Sequence, residues 1–134
     1  MLGDKLGEEN GKVTVRRVLP GTGATPMVET SFQAEGSILG IAHRTLGTYS
    51  SVMRPDDSVL GTGQGIVINA EGGTATWAGQ GMGTIGKDGS VSYRGAIFYQ
   101  TTAPQWARLN KVAAVFEYEV DPQGNTKAGL WEWK

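Results

Sequence analysis

The chain has no cysteine and a single histidine, His43, among its 134 residues. Without cysteine there are no disulfides and no thiolate ligands. With one histidine besides, the usual zinc donor sets, which draw on several such side chains, are also out of reach. The expectation is therefore a protein with no metal site and no cofactor. A positive surplus is missing as well: 12 Lys and Arg stand against 13 Asp and Glu, a formal net charge of −1. Duplex recognition neutralises several phosphates with a basic face, so nucleic acid is not an expected partner. Apolar runs extend only a few residues, far short of the ~20 that cross a bilayer as a helix, and no membrane partner is expected. Residues 1–10 (MLGDKLGEEN) hold more acid than base and no apolar stretch, unlike a signal or transit peptide. The expected location is cytoplasmic.

Glycine is what the chain has in excess. Its 21 glycines compare with about nine at the average usage of roughly 7%. Disordered chains are poor in aromatic and β-branched residues, whereas Trp77, Trp106, Trp131 and Trp133 here stand among alternating Val, Ile, Thr and Tyr. The glycines therefore point to the tight turns and curved strands of a folded β protein.

Residues 1–10 read as a flexible polar N-terminus and residues 11–134 as one β domain. The first strand candidate is 12–19, closed by Pro20-Gly21-Thr22-Gly23, a cluster of chain breakers. In 27–35, Val28, Thr30, Phe32 and Ala34 alternate with Glu29, Ser31, Gln33 and Glu35, the period of a half-buried strand. Residues 37–53 read as one bent strand or two, broken near Gly40 or Gly47. Further strands are expected over 59–69, 74–85, 91–101, 112–120 and 126–133. Turns separate them at Pro55-Asp56-Asp57, Glu71-Gly72-Gly73, Lys87-Asp88-Gly89 and Pro122-Gln123-Gly124-Asn125. Only 104–110 (PQWARLN) suggests helix, with Thr102 as a cap and Pro104 suited to a first turn. Connections this short make neighbouring strands antiparallel.

About eight such strands make an all-β sandwich or barrel. Gly61, Gly63 and Gly65 fall on one face of their strand, and Gly79, Gly81 and Gly83 repeat the pattern on the next. Three alternating glycines bare one face for about 13 Å at 3.3 Å per residue. Such a cluster marks a sharp bend or a close approach by a backbone or ligand. This favours a single antiparallel closed barrel of about eight strands with at most one short helix.

Few motifs carry chemistry. Gly81-Met82-Gly83-Thr84-Ile85-Gly86 matches G-x-G-x-x-G, but that fingerprint works where a strand runs into a helix, and here it runs into a turn and another strand. No G-x-S-x-G elbow accompanies His43. His43 is either a structural residue or the best acid–base candidate, being the one side chain that titrates unperturbed near neutrality. Glu117 and Glu119 lie opposite Phe116 and Tyr118, on a solvated outer face or inside a polar barrel facing Arg94. On 91–101, Arg94 shares a face with Ala96, Phe98 and Gln100, while Tyr93, Gly95, Ile97 and Tyr99 hold the other. Neither face is cleanly polar, as expected of a strand covered by a cavity within and a homo-oligomer without. The tryptophans line a pocket or simply fill the barrel, with Trp131 and Trp133 on one face.

With its strands, the paired segments Gly61-Thr62-Gly63-Gln64-Gly65 and Gly79-Gln80-Gly81-Met82-Gly83, and the run Ser92-Tyr93-Arg94-Gly95-Ala96-Ile97-Phe98-Tyr99-Gln100, the chain resembles small bacterial barrels of the allene-oxide-cyclase-like, broadly calycin-type group. The resemblance is one of architecture and is strongest over 61–134. It implies an eight-stranded barrel with an apolar cavity, often oligomeric, in a group that includes cyclases working largely by holding a substrate in shape. The lipocalin Gly-x-Trp near the first strand is absent, which sets the chain apart from secreted lipid carriers.

Three functions follow as expectations. The first is binding of a small apolar ligand, with Trp77, Tyr99 and Phe116 as contacts. The second is a cofactor-free cyclase or isomerase, with His43, Arg94, Tyr99 or Glu117 supplying acid–base or electrostatic groups; it requires at least two of these to converge. The third is a structural or protein-interaction barrel with a filled lumen.

Overall fold

Alternation of more buried with more exposed residues runs through most of the length of eight strands. They are β1 (Leu2–Thr22), β2 (Thr25–Ile38), β3 (Ile41–Met53), β4 (Val59–Asn69), β5 (Thr74–Ile85), β6 (Val91–Thr101), β7 (Ala114–Val120) and β8 (Asn125–Trp133), with a 3₁₀ helix, Pro104–Lys111, between β6 and β7. In this computed structural model, which describes all 134 residues, each strand pairs antiparallel with the next. β8 returns to pair with β1 and closes the barrel. The expected fold class is the one found. No helix is long and apolar enough to cross a membrane.

The N-terminal expectation is corrected. Residues 2–10 are strand, not a polar tail: Gly7 lies opposite both Ile38 and Leu130, and Glu9 opposite both Gly36 and Ala128. β1 is the closing strand, so ladder hydrogen bonds on both edges hold a segment whose own composition argues against strand. The break expected near Gly40 or Gly47 falls at Leu39-Gly40, where both φ angles are positive, 51° and 77°. That is the geometry of a two-residue hairpin turn, and the Leu39 N–H donates to the Leu6 carbonyl at 2.8 Å. Gly47 instead sits mid-strand, facing inward.

The two ends of the barrel are built differently. At one end, Asp56, Asp88 and Asp121 each stitch a turn, accepting hydrogen bonds from Ser58, Ser90, and Gln123 with Asn125. At the other, the 3₁₀ helix lays Trp106 into the barrel as a plug, 0% exposed, its indole N–H donating to the Ile38 carbonyl at 3.0 Å. Leu6, Ile38, Ala103, Leu109 and Leu130 pack around it. A second core cluster toward the Asp-turn end contains Phe32, Val59, Tyr93, Tyr118 and Val120.

Candidate functional site

The glycine rows of β4 and β5 face the lumen and lie side by side, with Gly61 opposite Gly81 and Gly63 opposite Gly79. Gly47 and Gly95 extend the bare patch to β3 and β6. Aromatic rings lie across this wall: Trp77 covers Gly47 and Gly65, Tyr93 covers Gly61 and Gly83, and Phe116 reaches Gly81. A methyl group at these glycines would collide with a ring, which is the close approach that alternating strand glycines permit. The rings do not fill the lumen. A cavity of about 80 Å³ remains, bounded by Phe32, Tyr49, Trp77, Tyr99, Phe116 and Tyr118, with Glu9 and Thr45 in its lining.

Glu9 is the charged side chain in that lining. Its Oε2 accepts hydrogen bonds from His43 Nε2 at 2.8 Å and Thr45 Oγ1 at 2.7 Å. The side chains of His43 and Glu9 are 1% and 13% exposed. His43 backs onto the plug, its ring centroid 6.5 Å from that of Trp106, and its Nδ1 is buried without a partner. The Nε2 contact fixes the ring against Glu9 Oε2 and leaves Nδ1 facing the plug. The other carboxylate oxygen, Oε1, receives no hydrogen bond from the protein.

All four tyrosines, Tyr49, Tyr93, Tyr99 and Tyr118, turn inward, and burial raises the pKa of each phenol. The negative charge of Glu9 pushes Tyr99 further the same way, and Tyr118 is raised by the adjacent Tyr49 and by Glu9. These hydroxyls therefore stay protonated. Tyr93 and Ser51 share a hydrogen bond of 2.7 Å, while the Tyr118 hydroxyl is buried without a partner.

The expected site residues separate into two groups. Trp77, Tyr99 and Phe116 line the cavity, and His43 stands behind Glu9. Arg94 and Glu117 do not join them. They lie on the outer wall, 54% and 47% exposed, 3.5 Å apart, and Arg94 also pairs with Glu119 at 2.8 Å. Strand parity is the reason: Arg94 and Glu117 are one residue out of step with Tyr93, Tyr99, Phe116 and Tyr118, and a single step reverses the face. The solvated alternative holds for both glutamates. Trp131 and Trp133 also point outward, with Lys5 Nζ 5.5 Å from the Trp131 ring centroid.

Glu9 and Thr45 were not anticipated. Carrying the alternation of β1 backward from Val13 through Gly11 places Glu9 on the inward face, so the pattern was readable once residues 1–10 were treated as strand. Nowhere do three or more His, Asp or Glu side chains gather as a metal site requires.

No family model matches the chain, and no curated protein matches it in sequence. Solved structures do match in fold. A protein with unknown function from Clostridium acetobutylicum ATCC 824 superposes with a TM-score of 0.83 at 12% identity, over 96% of each chain. A conserved protein of unknown function from Rhodopseudomonas palustris gives 0.83 at 11% identity, over 98% of this chain and 97% of that one. A β-barrel-like protein from Acinetobacter baumannii AYE gives 0.83 at 11%, over 100% and 96%. At such identities the likeness establishes the fold: this chain is an eight-stranded barrel like these small bacterial proteins.

Proposed function

We propose that the barrel binds a small, largely apolar molecule in the aromatic cavity, with Glu9 as its polar contact. The observation that carries this reading is the paired row of inward glycines beside an open lumen. Each strand glycine costs about 0.5–1 kcal/mol of backbone entropy, and ordinary interiors fill such space to crystal-like density. At about 80 Å³ the cavity is roughly half the ~150 Å³ pocket that admits benzene in an engineered core. It suits a guest of about five heavy atoms, or a larger one that displaces a ring. The resemblance to allene-oxide-cyclase-like barrels supports the same reading, since that group holds hydrophobic molecules in shape.

Amide NMR titration with tert-butanol, cyclopentanone and benzene tests this. Shifts confined to Trp77, Gly63, Gly81 and their neighbours are expected, together with a copurified small molecule in native mass spectra. If no probe moves these signals and no adduct flies with the protein, the barrel is a structural one.

The Glu9–His43 pair favours a second reading, a cofactor-free isomerase. A carboxylate oriented by a histidine can take a proton from a carbon acid and return it to another carbon of the same molecule. Its test is deuterium wash-in at the α-carbons of cyclopentanone in D₂O, accelerated by the protein and not by Glu9→Gln.

A further inference from the structure

The chemistry of the cavity selects by charge as well as by size. Seven aromatic side chains surround it, and several crowd together: Phe32 stands 5.4 Å from Tyr118, 6.0 Å from Tyr49 and 6.4 Å from Trp77, centroid to centroid. Aromatic faces carry partial negative charge and attract a cation within about 6 Å of the ring centroid. Into the same space opens a carboxylate, Glu9, whose Oε1 has no protein donor.

No lysine or arginine in the lining offsets that charge. His43 engages only Oε2 of Glu9, leaving Oε1 to the lumen. Arg16, the register partner of Thr30, is near enough to act on Tyr49 but is itself an exposed residue outside the cavity lining. Water screens its charge there. A largely buried carboxylate is stabilised by a counter-charge placed against it. An anionic guest would worsen the imbalance and a neutral guest would leave it. A cationic guest would remove it.

We infer that the guest is a small organic ammonium ion, its charged nitrogen against Glu9 Oε1 and its alkyl part against the rings of Phe32, Tyr49, Trp77 and Tyr118. This rests on the cavity being a binding site, as proposed above, and adds the chemical class of what enters it.

The test compares two probes of equal size, tert-butylammonium chloride and tert-butanol, which differ in carrying an ammonium or a hydroxyl. Each is titrated into the full-length protein at matched ionic strength, reading the amide signals of Gly63 and Gly81 and the indole signal of Trp77. The ammonium is expected to bind at least about tenfold more tightly. In Glu9→Gln that preference should vanish while tert-butanol binding persists. Equal or tighter binding of tert-butanol by the unmodified protein refutes the ammonium assignment and leaves the cavity reading standing. If neither probe shifts these signals, nor do cyclopentanone and benzene, both readings fall. The unmodified protein alone decides between these outcomes, so the test does not depend on the variant folding.

Discussion

Trp77 and Gly65 are register partners on β5 and β4, and the indole lies across the glycine so closely that a Cβ on residue 65 would overlap the ring at Nε1 and Cε2. Gly72 is a glycine for a different reason: it has a φ of +85° at a turn, with nothing within 4 Å of an added Cβ. Gly65→Ala is expected to destabilise by about 1–3 kcal/mol through overpacking, and Gly72→Ala by about 1–2 kcal/mol through left-handed strain. The two are separable by a second change. Trp77→Leu should relieve Gly65→Ala in a double-mutant cycle and leave the Gly72→Ala penalty untouched, as read by urea unfolding.

A largely buried carboxylate that accepts two side-chain hydrogen bonds makes a specific stability order for position 9. Gln accepts the hydrogen bonds of His43 and Thr45 without burying a charge, so Glu9→Gln is expected to match or exceed the parent near pH 7. Glu9→Leu removes the acceptor from two buried donors and should cost about 2–4 kcal/mol. Denaturant midpoints measure both. A Gln variant as unstable as the Leu variant would mean that the Glu9 charge is compensated in the folded chain.

The tyrosines predict the alkaline limit. Their folded pKa values lie above the unfolded value of about 10, so their contribution is complete below that pH. It is lost as pH climbs toward the folded values, because the unfolded chain releases its phenolic protons first. Tyr99 and Tyr118, the two most strongly raised, should ionise only as the barrel unfolds. Absorbance at 295 nm and circular dichroism would then share one transition for that part of the signal. Full phenolate absorbance with intact dichroism would show water reaching both hydroxyls.

The acid limit has the opposite sign. Hydrogen bonds from Ser58, Ser90 and Asn125 hold Asp56, Asp88 and Asp121 below the usual aspartate pKa. Their stabilisation is present above about pH 4 and is lost as the pH falls through the folded values. Replacing all three with Asn should flatten the decline of the melting temperature between about pH 4 and pH 2 by lowering the neutral value toward the acid one. An unchanged acid slope would place the acid sensitivity elsewhere.

The strands from Val59 to Thr101 were legible because alternation, Asp-Gly turns and short spacings agree there. Residues 2–10 were not, because β1 is held by ladders to β2 and β8, and pairing partners distant in sequence leave no trace in local composition. Missing that segment also hid Glu9. The inward side of β6 was ambiguous for a different reason. Phe98 is 56% exposed, so an apolar ring marks the outer face as strongly as Tyr93 and Tyr99 mark the inner one. Arg94 and Glu117 could be paired from the sequence but not assigned to a side.

Closure by β1 and β8 also shapes how the chain must fold. Seven of the eight strand pairings join consecutive strands, and the eighth joins the first strand to the last. Hairpins between neighbours carry little loop-closure cost, whereas the final seam must gather the two far ends of the chain. Until it forms, the sheet has two unpaired edges able to recruit other chains. By topology that seam carries the largest closure cost of the eight pairings.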